Sequence, residues 1–387
     1  MKMIPYGKQD INSNDIQEVI KVLKSDFITQ GPVLPIFEKE ISNFCKSKYA
    51  VAINSATSGL HLSCLALGLN TNDYLWTSPI SFVASANCGI YCGANIDFID
   101  IDQNNFNIDT NLLEEKLIQA NKNNKLPKII VVVHMCGQSA DMEKIFNLGK
   151  KYGFKIIEDA SHGFGGSYKN QLIGNCRYSD ITVFSFHPVK IITTGEGGAV
   201  TTNNIDIFQK VRILRSHGIT KDKECFINKN EGDWYYEQQY LGFNYRLTDL
   251  QAALGVSQIK RTKEFISKRR EISRRYNELL NGLPIITPKQ ENYSLSSWHL
   301  YVIRIKSNLS KKSHDEIFHT LREKNILVNL HYIPIHLQPF YKKLGFKKGD
   351  FPKAEKYYRE AISLPIYYSL SFEEQDYVIN TLKNILT

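Results

Sequence analysis

Short apolar runs alternate with amphipathic segments between Lys48 and about Thr202. The runs YAVAIN, NIDFIDI, KIIVVVH, FKIIEDA and ITVFSF are rich in β-branched residues and predict strands. The segment TSGLHLSCLALG, which follows the first run, has the spacing of apolar residues that is typical of a helix. Continuous apolar strands separated by helices indicate buried, mostly parallel strands that are covered on both faces. We therefore predict an α/β fold with a large, mostly parallel sheet.

Helical patterns lie on either side of this region. The segment before Lys46 predicts two helices joined by a turn at Gly31-Pro32. After the region, a helical stretch runs from Leu247 to about Leu280 and begins at Thr248, a residue type that caps helices. We expect this second stretch to bridge two domains.

The last part of the chain predicts a smaller α+β unit. The runs WHLYVIRI and ILVNLH are strand candidates, and helical patterns occupy residues 313–324 and the segment after Ser371. We therefore divide the chain into an N-terminal segment with the large domain, residues 1–246, and a bridging helix with the small C-terminal domain, residues 247–387.

Composition and charge narrow the class of protein. The chain has 387 residues, of which 42% are hydrophobic and 22% charged, a mix typical of folded globular proteins. Its seven cysteines include no Cys-x-x-Cys pair, so we expect buried, reduced thiols. We find no signal peptide or membrane span and expect a cytoplasmic protein. The formal net charge of +9 favours acidic partners such as phosphates.

Two charged clusters have structural explanations. The first is basic and comprises Lys260, Arg261, Lys263, Lys268, Arg269, Arg270, Arg274 and Arg275. Glutamates are interleaved with it and no series of aromatic residues accompanies it, so we expect a solvated helix face and no nucleic-acid site. The second comprises Asp97, Asp100, Asp102 and Asn104. It lacks the glycine and the terminal glutamate of a calcium loop, so we expect carboxylates at a strand end and no metal.

The strongest chemical signal is a carboxylate and an amine at one edge of the predicted sheet. Asp159 ends the strand FKIIEDA, and Lys190 follows the strand ITVFSF. Open α/β sheets bind their ligands at the carboxyl ends of the strands. A carboxylate there can hold a protonated pyridine nitrogen, and an amine can form a Schiff base with an aldehyde. Pyridoxal phosphate requires both groups, although each residue taken alone is more often a solvated charge.

Two neighbouring segments add to this signal. Residues 54–59, NSATSG, lie between a strand and a helix, where small residues present free backbone N–H groups and a hydroxyl to an anion. Phe82, in the sequence SPISFVASAN, lies at the start of the next predicted helix. Its ring can stack on a flat cofactor or pack in the core, and both interpretations stay open from the residues alone.

Taken in order, these segments resemble the DegT/DnrJ/EryC1/StrS family of sugar aminotransferases, which are pyridoxal-phosphate enzymes of fold type I. The resemblance covers nearly the whole chain, from Tyr6 to the sequence AISLP at residues 361–365. It implies that Lys190, in FSFHPVKIITTGEGGA, binds the cofactor covalently, and that Asp159, in EDASHGFGG, pairs with the pyridine nitrogen. The other cofactor contacts that it implies are Ala56, Thr57 and Ser185 at the phosphate, Phe82 on the ring and His162 beside it.

The resemblance also implies an assembly and a set of substrate contacts. Asn244, in LGFNYRLTDLQAALG, matches the residue that reaches the phosphate of the neighbouring subunit in this family, which implies a homodimer with shared active sites. The implied substrate contacts are Tyr6, Thr29, Asn244, His331 and Tyr332.

Within the family, the motifs are most similar to those of aminotransferases of the pseudaminic acid pathway. This implies transfer of an amino group from glutamate to C4 of a UDP-linked 2-acetamido-2,6-dideoxy-4-keto-hexose. Another nucleotide-linked 3- or 4-keto sugar, linked to dTDP or GDP, is the alternative. Arg215 and Arg246 are candidates for binding the donor carboxylate, and structural ion pairs explain each of them equally well. A dehydratase of this family has histidine where this chain has Lys190, which disfavours that activity.

Overall fold

Within the described part of the chain, a seven-stranded sheet forms the centre of the large domain. The computed structural model describes residues 3–228, 232–306 and 308–386. The first residue of the predicted unit 1–246 and the last residue of the predicted unit 247–387 lie outside the described residues. The strands in spatial order are β2 (Tyr49–Ile53), β10 (Gly198–Thr202), β9 (Ile181–Ser185), β6 (Lys155–Asp159), β5 (Ile129–Val133), β3 (Tyr74–Thr77) and β4 (Asn95–Phe98). All neighbours from β9 to β4 are parallel, and β10 is antiparallel to both of its neighbours.

Helices cover both faces of this sheet. They are α1 (Ser13–Leu23), α2 (Val33–Cys45), α3 (Ala56–Ala66), α4 (Ala84–Tyr91), α5 (Thr110–Lys122), α6 (Met142–Tyr152) and α7 (Ile205–Arg215). Successive side chains of a strand point to opposite faces. Accordingly, Val183 of β9 packs with Leu60 of α3 in one buried cluster, whereas Phe184 packs with Phe37 of α2 in another. The predicted mostly parallel, doubly covered sheet is confirmed.

The bridging segment is two helices rather than one. They are α8 (Asp249–Lys260) and α9 (Thr262–Leu279), and Arg261 separates them. Thr248 caps α8 as predicted, and the side chain of Gln251 completes a capping box. The guanidinium of Arg261 forms ion pairs with Asp10 at 2.6 Å and with Asp15 at 3.4 Å. These ion pairs attach the N-terminal segment to the residue between α8 and α9.

The small unit is built on a three-stranded antiparallel sheet. Its strands are β13 (Ile285–Ile286), β15 (Tyr301–Ile305) and β17 (Ala361–Leu364), with β15 in the middle. The remaining helices are α10 (His314–Glu323), α11 (Pro339–Lys343), α12 (Pro352–Glu360) and α13 (Phe372–Leu386). Buried residues of α9, α10 and α13 pack on this sheet in one apolar cluster.

Short strand pairs connect distant parts of the chain. Strand β1 (Ile4–Pro5) pairs in parallel with β16 (Ile326–Leu327), so the start of the chain is bound to the small unit. Two further small sheets are present: β11 (Ile219–Thr220) pairs with β12 (Glu237–Gln238), and β7 (Ser167–Tyr168) lies between β8 (Gln171–Leu172) and β14 (Ser294–Leu295). The pairing of β1 with β16 brings Tyr6 next to the residues that follow β16.

The charged clusters have the following environments. In the basic cluster, Arg269 is 2% exposed and donates hydrogen bonds to the backbone carbonyls of Trp298, His299 and Ile366. The prediction of a solvated face is therefore wrong for Arg269, because these carbonyls replace water around its guanidinium. In the acidic cluster, Asp100 accepts hydrogen bonds from backbone N–H groups at the start of α12, as a structural carboxylate does. The described residues contain no group of three or more metal-ligating side chains.

The cysteines and the helices bear on two further expectations. All seven cysteines are free, and five of them are buried, whereas Cys92 is partly exposed and Cys225 is exposed. The prediction of buried thiols is therefore wrong for Cys225. Across residues 3–228, 232–306 and 308–386, no helix combines the length and the apolar character that crossing a membrane requires.

Candidate active site

A cavity of about 500 Å³ opens at the carboxyl ends of strands β6 and β9. Ten of the twelve predicted cofactor and substrate residues line it. They are Tyr6, Ala56, Thr57, Phe82, Asp159, His162, Ser185, Lys190, His331 and Tyr332. The structure thus brings together residues from the chain start, the large sheet and the small unit.

Asp159 is the buried anion of the cavity. It is the last residue of β6 and is 5% exposed. The hydroxyl of Ser85 donates to its Oδ2 at 2.6 Å, and the hydroxyl of Ser161 donates to its Oδ1 at 2.6 Å. These hydrogen bonds fix the orientation of the carboxylate. Neither serine was singled out from the sequence, although both lie within motifs that the resemblance uses.

Lys190 lies partly exposed in the same cavity. It follows β9 in a loop, and its Nζ is 3.5 Å from Nε2 of His299. Desolvation lowers the pKa of the Lys190 amine to about 8, and the carboxylate of Asp159 opposes that shift. An amine with a pKa of about 8 has a substantial neutral fraction near neutral pH, which both nucleophilic attack and proton transfer require.

The N-terminus of α3 forms an anion cradle. Ser55 caps this helix by accepting a hydrogen bond from the N–H of Ser58 at 3.1 Å. The first N–H groups of a helix have no acceptor within the helix and point toward its end. At Gly198 of β10, a Cβ atom would lie 2.8 Å from the backbone nitrogen of Ala56, so only glycine allows the strand to pass this close. The cradle fits a phosphate group.

Two flat side chains, Phe82 and His162, line the same cavity. Phe82 is 58% exposed, which contradicts core packing as the explanation for this residue. His162 is buried, and its Nε2 is 3.0 Å from the hydroxyl of Tyr332. Burial lowers the pKa of His162 well below its ordinary value, so its imidazole is neutral at neutral pH. Within the described residues, its buried Nδ1 has no hydrogen-bond partner.

The small unit and the chain start close one side of the cavity. His331 bonds the hydroxyl of Ser363 at 2.8 Å through Nδ1, and the ring of Tyr6 lies 4.8 Å from the His331 ring. Burial is the main cause that lowers the pKa of His331 to about 3. These two residues and Tyr332 therefore present neutral hydrogen-bonding groups next to the charged pair.

Thr29 and Asn244 lie outside the cavity. Thr29 is exposed in the loop between α1 and α2, and Asn244 is exposed in a loop whose backbone bridges to Ser216. Neither residue lines the cavity of its own chain. The predicted substrate contacts of Thr29 and Asn244, and the predicted reach of Asn244 to the phosphate of the neighbouring subunit, stay predictions.

Arg215 and Arg246, the two candidates for binding the carboxylate of the amino donor, differ in environment. Arg215 is buried and binds the carboxylate of Glu38 at 2.5 Å and the backbone carbonyl of Ala52 at 2.6 Å. Its guanidinium is committed to a structural ion pair, so the structure does not support Arg215 as a clamp. Arg246 makes a backbone bridge to Ile53 and remains a candidate.

Comparisons with known proteins show which family the chain belongs to. Residues 9–383 match the DegT/DnrJ/EryC1/StrS aminotransferase family. The chain is 37% identical to the UDP-4-amino-4,6-dideoxy-N-acetyl-beta-L-altrosamine transaminase of Campylobacter jejuni, and the match covers 99% of this chain and 98% of that protein.

Solved structures show the same fold. PseC of Helicobacter pylori, an aminotransferase involved in the biosynthesis of pseudoaminic acid, superposes with a TM-score of 0.90 at 31% identity, over 100% of this chain and 99% of that one. The PLP form of the putative sugar aminotransferase Spr1654 of Streptococcus pneumoniae has a TM-score of 0.88 at 29% identity, over 99% of this chain and 98% of that one. The predicted fold and cofactor are confirmed. The chain therefore belongs to the DegT/DnrJ/EryC1/StrS family and is a pyridoxal-phosphate-dependent sugar aminotransferase.

Proposed function

We propose that this enzyme transfers the amino group of glutamate to C4 of a UDP-linked 2-acetamido-2,6-dideoxy-4-keto-hexose, in pseudaminic acid biosynthesis. The observation that carries the proposal is the convergence of Lys190, Asp159 and the anion cradle of α3 on one cavity. The similarity to the Campylobacter jejuni transaminase and to PseC supports the choice of substrate. The formal net charge of +9 suits a nucleotide diphosphate and a dicarboxylate donor.

The residues of the cavity fit pyridoxal phosphate. Asp159 would hold its pyridine nitrogen, and Lys190 would hold it covalently. The exposed ring of Phe82 and the neutral imidazole of His162 would flank the cofactor ring. The phosphate contacts would be the backbone at Ala56 and Thr57 and the side chain of Ser185. When bound, the cofactor supplies an electron sink that makes the Cα–H bond of the amino donor acidic.

Two side chains of the cavity have distinct tasks in the proposed reaction. Asp159, oriented by Ser85 and Ser161, keeps a proton on the pyridine nitrogen by its negative charge. Lys190, once released, accepts the proton from Cα of the donor. Its Nζ would pass that proton to C4′ of the cofactor, and in the second half of the reaction it would move a proton from C4′ to C4 of the keto sugar. One amine can serve both halves because its pKa of about 8 allows it to take up and to lose a proton near neutral pH.

We also propose that the active site is shared across a homodimer. Asn244 and Thr29 lie on exposed loops outside the cavity of their own chain. Large apolar side chains are exposed near both residues: Leu241 is 83% exposed and Phe27 is 57% exposed. Exposed apolar side chains grouped on a surface are typical of a protein interface. In the proposed dimer, Asn244 of one chain completes the phosphate site of the other.

Mixed dimers test this arrangement. Chains with Lys190→Ala and chains with Asn244→Ala are each expected to be inactive alone. In a mixed dimer, one site carries both defects and the other carries neither. Each mixed dimer should therefore have up to about half the activity of a wild-type dimer, and an equimolar mixture after random exchange should reach about a quarter, measured as amine product.

Subunit exchange must be shown independently, for instance by mass spectrometry of differently tagged chains. Asn121→Ala, at an exposed asparagine of α5, is the matched control and should keep full activity. If exchange occurs and the mixture stays inactive, the shared site is wrong.

A panel of substrates tests the choice of sugar. UDP-, dTDP- and GDP-linked keto hexoses, made in situ, are incubated with the enzyme and glutamate, and products are identified by mass spectrometry. We expect the amine from the UDP-linked 2-acetamido-4-keto sugar at a rate well above that from the others. Efficient amination of only a dTDP- or GDP-linked sugar, or of a 3-keto sugar, would establish the alternative activity.

A further inference from the structure

His299 is the buried histidine that contacts the reactive amine. Its Nε2 is 3.5 Å from Nζ of Lys190, and the residue is 3% exposed. Within the described residues, its Nδ1 has no hydrogen-bond partner. The sequence motif SSWHLYVI contains His299, but neither the cofactor contacts nor the substrate contacts above use it.

The surroundings of His299 hold its backbone by hydrogen bonds and pack the ring of His162 against its ring. The His299 and His162 rings lie 4.4 Å apart. The guanidinium of Arg269 donates hydrogen bonds to the carbonyls of Trp298 and His299, both at 3.2 Å. The hydroxyl of Ser297 donates to the carbonyl of His162 at 2.6 Å. Side chains held in this way are preorganised for a ligand or a reacting group.

The charge state of His299 follows from the groups that face it. Burial lowers its pKa well below the ordinary value, and the positive charges of Lys190 and Arg269 act in the same direction. The neighbouring imidazoles of His162 and His331 have lowered pKa values for the same main reason. The imidazole of His299 is thus neutral near neutral pH and can accept a hydrogen bond from an ammonium group.

The other charged and titratable groups near His299 do not change charge near neutral pH, with the exception of Lys190. The side-chain oxygens of Asp159 already accept hydrogen bonds from the hydroxyls of Ser85 and Ser161. Burial raises the pKa of Tyr332 far above neutrality, so its hydroxyl stays protonated. Lys190, with its pKa of about 8, is the neighbour of His299 that changes charge close to neutral pH.

We propose that His299 is a positioning residue for Lys190. Its Nε2 accepts a hydrogen bond from the released, protonated lysine and keeps Nζ directed into the cavity between the two proton transfers. The proton of the imidazole then lies on Nδ1. This inference rests on the proposed role of Lys190 as the covalent and proton-transferring residue.

The titration of Lys190 in the full-length, cofactor-free protein tests the contact. The rate at which acetic anhydride acetylates Lys190 is followed against pH by mass spectrometry of the peptide that contains it. The wild-type midpoint should lie near pH 8. His299→Phe keeps a ring but removes the acceptor, so the ammonium loses a partner and the midpoint should fall by about one pH unit.

Two further variants distinguish positioning from packing. His299→Gln offers an amide oxygen as acceptor and should restore most of the wild-type midpoint. His319→Gln, at an exposed histidine of α10, is the control and should leave the midpoint unchanged. An unchanged midpoint in a folded His299→Phe protein, or equal shifts in the Phe and Gln variants, would overturn the proposal.

A second measurement needs no change at His299. In wild-type protein with ¹⁵N-labelled histidine, the Nε2 resonance of His299 should shift with a midpoint near pH 8, and Lys190→Ala should abolish that step. A step that persists in Lys190→Ala, or its absence in the wild type, contradicts the contact. Covalent trapping of the cofactor is a separate readout. Trapping on another lysine, with the expected titration intact, would reject the proposed role of Lys190 and leave the contact established.

Discussion

Lys190→Ala is expected to abolish amination of the keto sugar, with a loss of about 10⁴-fold or more. The variant lacks both the covalent attachment and the amine that moves protons. Its fold should persist because Lys190 is partly exposed and its one described side-chain hydrogen bond, to His299, is long at 3.5 Å. Activity is measured as amine product by mass spectrometry, and folding by circular dichroism during heating.

A surface lysine provides the control for this result. Lys347→Ala, at an exposed position, should retain the wild-type rate. Lys190→Ala should still bind pyridoxal phosphate noncovalently, since Asp159 and the anion cradle are unchanged. A folded Lys190→Ala protein that aminates at the wild-type rate would reject the assignment of this residue.

Asp159→Asn is expected to lower turnover by about 10²- to 10³-fold while cofactor binding falls much less. The substitution keeps the size of the side chain but removes the charge that holds a proton on the pyridine nitrogen. The donor half-reaction isolates this effect, because it can be followed by the absorbance of the bound cofactor when glutamate alone is added. The exposed Asp315 provides the matched Asp→Asn control.

The rate of the half-reaction decides the role of Asp159. The account predicts slow conversion of bound cofactor in Asp159→Asn and normal conversion in Asp315→Asn. An Asp159→Asn protein that reacts with glutamate as fast as the wild type would mean that another group holds the proton.

The central pair of the site could be predicted from local patterns. Asp159 and Lys190 each follow an apolar run, and parallel strands place their carboxyl ends at one edge of a sheet. The same reasoning places the anion cradle, because a run of small residues directly follows β2. These features depend only on which strand each residue ends or follows, so a single sequence contains the necessary information.

Other parts of the site depend on contacts between distant segments. Tyr6 reaches the cavity because β1 pairs with β16, more than 300 residues later in the chain. The contact between His299 and Lys190 arises from the packing of the small unit against the large sheet. No local periodicity encodes either contact. The burial of Arg269 could not be predicted from the sequence for the same reason. It depends on three backbone carbonyls that become neighbours of Arg269 only in the folded chain.

The division into units 1–246 and 247–387 stays a prediction. The N-terminal segment was assigned to the first unit, yet it contacts the second, through β1 on β16 and through the ion pair of Asp10 with Arg261. The apolar pattern could not reveal this arrangement, because β1 contains only two residues.

Covalent trapping of the cofactor tests the central claim most directly. The purified enzyme, loaded with pyridoxal phosphate, is reduced with borohydride and digested, and the modified peptide is sequenced by mass spectrometry. The account predicts that the added mass lies on Lys190, in the peptide sequence HPVKIITTGEGG, and that prior addition of glutamate decreases the labelling. Labelling of a different lysine, or no labelling of a protein that aminates the keto sugar, would contradict it.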